Sequence, residues 1–292
     1  MNKEQQELFD NIILNNNYNA RQKRFIKLGI EQGLNVSWYA KPEFGHFQME
    51  QIILGLEKGI DVSLYAKIEF NAAQMEQIRW GLNEGFDVSL YSSPEFDDEQ
   101  MQQIRWGIDL GVDTSLYARP EFDWKQMYEI RLGLEQGLDV SWYAKPEFRW
   151  QQMREIRTGL EEKFNVEIYA NPKFNWRQMV QIRKGLESNI DVLTYANPEF
   201  HHHQMREIRE GLENNINVSL YSNPNFNDSQ MYEIRMGLQN NIDVSLYATT
   251  EFNYRQMKQI RFGLEDNLDV TPYLNPNLIW EEMQIIRLEL EK

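Results

Sequence analysis

Nine arginines, Arg79, Arg105, Arg131, Arg157, Arg183, Arg209, Arg235, Arg261 and Arg287, recur every 26 residues. A guanidinium is a planar fork of N–H donors that fits phosphate or carboxylate. Repeated at one height on parallel helices, such forks are compatible with a groove for phosphates or an acidic chain, centred on Arg131, Arg157 and Arg183. A structural use competes and is the stronger reading. On a helical wheel each Arg lies about 160° from a Gln/Glu column through Gln77, Gln103, Glu129, Glu155 and Gln181. Side-by-side stacking then sets the Arg of one helix against the Gln or Glu of the next. Carboxylates four residues on, at Asp109, Glu135, Glu161, Glu187, Glu213 and Glu265, offer a second partner.

A second set of side chains suits recognition. Trp80, Trp106, Trp124, Tyr128, Trp150, Arg154, Trp176, Tyr232, Tyr254 and Phe262 fall on the helix face that the wheel assigns to solvent. Successive units differ most on this face, as a ligand-reading surface would, and exposed aromatics are costly unless a partner covers them. Burial of some rings by superhelical curvature is the competing use. His201-His202-His203 is a metal-like string, but consecutive helical residues point in three directions, so a solvated helix start is expected and no metal site. No Ser/His/Asp or Cys/His set, Gly-rich phosphate loop or zinc-helix pattern is present, which predicts a protein that is not an enzyme and needs no cofactor.

The elements that position these columns come from one unit. A Gln-Met pair returns every 26 residues from Gln48-Met49 to Gln256-Met257 without insertion, so the chain is read as an array of one supersecondary unit. In the unit at Phe96, Asp97 is the N-cap, Gln100 completes a capping box, and Phe96 with Met101 forms a hydrophobic staple. Gly59, Gly85, Gly111 and Gly137, then Asn189, Asn215, Asn241 and Asn267, take the left-handed stop, which gives a helix of about 13 residues. A shorter piece follows, such as DVSLYA at Asp61 to Ala66, opened by an Asp or Asn cap and closed by Pro, and is read as one or two turns of α or 3₁₀ helix.

Met75, Ile78 and Leu82 mark the core side of one long helix, joined by Gly81. A mid-helix Gly costs roughly 1 kcal/mol against Ala, so its recurrence predicts a contact too close for a Cβ, placed here between adjacent helices. The Tyr column from Tyr39 to Tyr273 is read as buried rings whose hydroxyls tie to the neighbouring unit.

The run YANPEFHHHQMREIREGLENNINV, Tyr195 to Val218, resembles the variant leucine-rich repeats, in which an Ala-Asn-Pro turn precedes a leucine-rich helix and an Asp-containing turn leads to a short helix. The resemblance implies a strand-free superhelix of alternating α and 3₁₀ helices. The period is longer here, Met, Ile and Tyr take places of Leu and Val, and the family's cysteine cluster has no counterpart. The predicted fold is all-α: a right-handed α-solenoid superhelix of ten 26-residue repeats over 19–278. Residues 1–18 are an N-terminal cap, with Leu8, Phe9, Ile12 and Ile13 covering the stack, and 279–292 a polar C-terminal capping helix.

Of 292 residues 41% are hydrophobic, enough for a core, and the absence of cysteine excludes disulfides and thiolate metal sites. The polar, acidic opening and the lack of a long apolar run predict a cytoplasmic protein without membrane contact. A net charge of −15 argues against direct nucleic-acid binding and for a partner with a basic surface. Fourteen of these carboxylates sit at repeated positions, seven Asp caps and seven Glu before the recurrent Phe, so much of the charge is architectural. The expected function is a non-enzymatic scaffold binding a protein through the aromatic face. Two alternatives remain: an acidic nucleic-acid mimic that sequesters a basic or defence enzyme, and a sponge for nucleotides or phosphorylated ligands on the Arg column.

Overall fold

The computed structural model describes residues 1–14 and 16–292. Among them every regular element is helical, with a long α-helix and a single 3₁₀ turn alternating from Ala20 onward. Two compact units are formed, Met1–Pro146 and Glu147–Lys292. The first holds α1 (Lys3–Leu14), α2 (Ala20–Glu31), α3 (His46–Glu57), α4 (Ala72–Glu84), α5 (Asp98–Asp109) and α6 (Trp124–Glu135). The second holds α7 (Trp150–Glu161), α8 (Trp176–Glu187), α9 (His202–Glu213), α10 (Asp228–Gln239), α11 (Tyr254–Glu265) and α12 (Trp280–Leu290). Within each unit every long helix packs on the next in sequence, the stacking of a repeat solenoid.

Short-range chemistry sets each boundary. At α4 the Asn71 side chain accepts from the Gln74 backbone N–H at 2.9 Å, while Gln74 Oε1 accepts from the Asn71 backbone N–H at 2.7 Å. Both orphan donors of the first turn are thereby satisfied. Phe70 and Met75, which flank the box, are buried. At the other end Gly85 turns left-handed at φ 79°, and Phe86 N–H donates back to the Gly81 carbonyl at 2.9 Å, closing a Schellman motif. Asn189, Asn215, Asn241 and Asn267 do the same in the second unit. So does Lys163, at φ 62°, a stop that no Gly or Asn announces. The piece that follows is one 3₁₀ turn, Val88–Leu90 in this repeat, opened by the Asp87 carboxylate accepting from Ser89 N–H at 2.9 Å.

The core runs through the Met, Ile, Val, Phe and Tyr columns, all buried, whereas Leu82 lies at its margin, half-buried. Two sequence expectations change here. Most Tyr hydroxyls reach back to their own repeat, not to a neighbour: Tyr65 donates to the Gln51 carbonyl at 3.1 Å and Tyr117 to the Gln103 carbonyl at 3.1 Å, each in the long helix just preceding. The recurrent Gly is the seat of that same ring. A Cβ on Gly81 would overlap Tyr91 Oη and would lie 3.1 Å from Val88 Cγ1, so the close approach is between a helix and its own 3₁₀ turn, not between adjacent long helices. The unit is folded back on itself before it stacks.

Helix α1 packs on α2, with Gln5 Nε2 donating to the Ile30 carbonyl at 2.9 Å. Phe9, Ile12 and Ile13 are half-buried there, but Leu8 faces solvent. In α12, expected to be polar, Ile285 stands where the other helices carry mostly Gln or Glu and is 58% exposed, beside exposed Leu288.

Candidate interaction surface

The Arg column forms bonds between stacked helices. Arg79 Nε donates to Gln51 Oε1 at 3.0 Å and Arg131 Nε to Gln103 Oε1 at 3.2 Å in the first unit. Arg183 reaches Glu155 at 3.1 Å, and Arg261 reaches Glu233 at 2.9 Å, in the second. Carboxylates four residues on take a further donor from Arg131, Arg157, Arg209 and Arg261 at Glu135, Glu161, Glu213 and Glu265. Arg105 and Arg183 depart from the expected Asp109 and Glu187, and instead reach Glu84, the last residue of the preceding helix, and Glu162, the C-cap of the preceding helix, respectively. A phosphate at Arg131, Arg157 or Arg183 would therefore have to displace a carboxylate already bound. Burial raises the pKa of Glu233 despite Arg261, so its charged form is held at a cost. Gln occupies the same position at Gln51, Gln77, Gln103 and Gln259 and accepts the same bond.

The capping-box Gln has a second task that the box alone does not reveal. Gln74 Nε2 donates to the Phe96 carbonyl of the next repeat at 2.6 Å, and Gln178 Nε2 to the Phe200 carbonyl at 2.6 Å. Its amide thus caps one helix with its oxygen and holds the next repeat with its nitrogen. Glu could serve the box, as Glu282 does for α12, but has no donor for the second bond.

The aromatic face divides between exposed and half-buried side chains. Trp106, Trp124 and Tyr128 are between 36% and 38% exposed in the first unit, and Tyr232 and Tyr254 are 42% and 39% exposed in the second. Trp80, Trp150, Trp176 and Phe262 are half-buried, and Arg154 is exposed. Many rings roof the Arg column. The Arg131 guanidinium lies 5.5 Å from the Trp106 ring and 5.4 Å from that of Tyr128, and Arg105 lies 5.3 Å from Trp80. In the second unit Arg235 faces Tyr232 at 5.5 Å and Arg261 faces Phe262 at 4.7 Å. Each of these rings therefore stands within cation–π range of an Arg while keeping part of its surface in water.

No family profile, characterised protein or solved structure matches this chain. The faces of the repeat are thus the guide to what it binds, and one of them was missed in the sequence. Leu64, Leu90 and Leu116 in the first unit, and Leu220 and Leu246 in the second, are between 39% and 45% exposed on successive 3₁₀ turns. Their shared place in the period was the available signal, but an apolar residue in a short capped turn reads as core. A groove of about 500 Å³ runs beside this ridge, with Leu116, Leu134 and Leu138 among its walls.

The histidine string departs furthest from expectation. One ring nitrogen from each of His201, His202 and His203 lies within 4.8 Å of the other two. The three rings do not fan out as on a helix because His201 is the N-cap, in extended geometry at φ −67° and ψ 149°, and the helix begins only at His202. Burial, then the neighbouring imidazoles and Arg177 and Arg206, push His202 down to about 4. His201 and His202 open onto a groove of about 490 Å³ that Arg149, Lys173, Trp176 and Arg177 also line.

Proposed function

We propose that the chain is a non-enzymatic, cytoplasmic repeat scaffold that binds a protein partner with a basic surface through the aromatic face of its long helices. The observation that carries this reading is the cluster of Trp106, Trp124 and Tyr128. Trp106 and Tyr128 both lie against the Arg131 guanidinium and Trp124 stands one turn before Tyr128 on the same helix, all three on columns that change from repeat to repeat, while the Gln, Met, Ile, Gly and Tyr columns are occupied by caps, core and bonds between repeats. Large aromatic rings that keep one side in water are the side chains most often found at the energetic centre of an interface. Glu43, Glu69, Glu95 and Glu121, all exposed at the helix entrances of the same unit, supply the negative rim that a basic partner complements.

The acidic-mimic reading draws on those same glutamates, but the Asp column speaks less for it. Asp61 and Asp87 are held below the usual carboxylate range by hydrogen bonds from Ser63 and Ser89, the work of a cap. Affinity capture from a lysate of the source cell, with wild type and a variant carrying Trp106→Ala, Trp124→Ala and Tyr128→Ala, separates the two. The scaffold reading expects a protein retained by wild type and lost by the variant. Retention of the same basic nucleic-acid enzyme by both, released in moderate salt, would replace it with the mimic.

A further inference from the structure

Three imidazoles meet at one helix start, and nothing in the repeat's architecture asks for them. At the same three positions α8 has Asn175, Trp176 and Arg177, and α10 has Asn227, Asp228 and Ser229. In α8 and α10 the Asn side chain accepts backbone N–H groups of the first turn, whereas His201, like Gly45 in α3 and Arg149 in α7, makes no side-chain cap bond. The helix gives up its cap, and a ring takes that place. Ring centroids are 4.2 Å apart for His201 and His202, 4.1 Å for His202 and His203, and 5.2 Å for His201 and His203.

We propose that His201, His202 and His203 form a binding site for one divalent first-row transition metal of the imidazole-binding class. Imidazole nitrogens about a tetrahedral or square ion at ~2.0–2.1 Å sit closer together than the separation seen here, and side-chain torsions of partly exposed rings cover the difference. An all-nitrogen, uncharged donor set selects copper, nickel or zinc over magnesium or calcium, which need oxygen ligands, and the general order of affinities puts Cu²⁺ first. The metal's remaining positions would face the groove beside Trp176 and be filled by water. Arg177 and Arg206, with Arg149 and Lys173 across the groove, oppose the ion and Glu147 alone among the groove's charged walls favours it, which argues for a site that exchanges its metal rather than a permanent structural one. The site is independent of the aromatic face and stands whether or not that face binds a protein.

The test is titration of the purified full chain with Cu²⁺ alone, read by electron paramagnetic resonance, with Mg²⁺ as the control ion. The expected result is saturation at one equivalent with nitrogen hyperfine structure from three ligands, and no response to Mg²⁺. His201→Asn restores the cap found in α8 and removes one ligand, so it should weaken binding at least tenfold while leaving the helical circular dichroism unchanged. His203→Ser, the residue of α10, should do the same, and His46→Ala should have no effect. Absence of saturable binding in wild type, or wild-type affinity retained in His201→Asn and His203→Ser, would overturn the assignment.

Discussion

At the residue scale the organising pair is the mid-helix Gly and the Tyr ten positions later. The sequence shows that the Gly must answer to a close contact, since its helix cost recurs in every full repeat. Which surface makes the contact is not legible, because a strict period places a Tyr equally near its own helix and the next one. The structure puts the ring on its own helix, and the test is a double-mutant cycle. Gly81→Ala drives a Cβ into Tyr91 Oη and should cost about 2 kcal/mol net of improved helix propensity. The Tyr91 hydroxyl is buried without a hydrogen-bond partner, so Tyr91→Phe alone should cost less than about 1 kcal/mol. Phe also removes the overlapping atom and leaves the ring carbon 3.2 Å from the new Cβ. The double variant, measured by urea denaturation, should therefore be more stable than the sum by about 1 kcal/mol or more. Strict additivity would return the Gly contact to a neighbouring helix.

At the element scale the starts and stops of the long helices are the most readable part of the chain. Asn or Asp caps, the Gln three residues on and a left-handed Gly or Asn each satisfy backbone groups through local bonds, so their chemistry travels with the sequence. Reading fails where the partner is remote or the residue atypical. Lys163 adopts the left-handed stop because the repeats on either side impose the register, and His201 leaves the helix because it holds the N-cap position. The Gln amide is a remote case: its bond to the following Phe carbonyl spans 22 residues. Gln74→Glu tests that bond directly. The box acceptor is kept, but a carboxylate replaces the donor facing the Phe96 carbonyl, and about 1–3 kcal/mol should be lost. An unchanged chemical melt would mean that the box is the whole role of this column.

For the whole molecule the same columns, repeated, give collective behaviour. Burial pushes the hydroxyls of Tyr39, Tyr65, Tyr117, Tyr195 and Tyr247 well above the ordinary range, against the pull of neighbouring Arg side chains for most of them, and pushes Tyr273 up to about 12. A raised folded pKa means stability that is complete below the unfolded value, near pH 10, and is lost as pH rises through the folded one. Alkaline unfolding should thus begin above about pH 10 and steepen, with tyrosinate absorbance and loss of helical circular dichroism rising together. Tyrosine ionisation in a chain that stays helical would contradict the buried column.

The stacking and the Arg bonds were legible because each depends on the period alone. The exposed leucine ridge was not, since exposure depends on how far each 3₁₀ turn projects. Two apolar faces therefore compete for a partner, and the measurement that decides between them is covalent side-chain footprinting of the protein alone and in complex with the captured partner. Trp106, Trp124 and Tyr128 should lose reactivity in the complex while Leu64, Leu90 and Leu116 keep theirs. Protection of the leucine ridge with the three rings unchanged would contradict binding through the aromatic face.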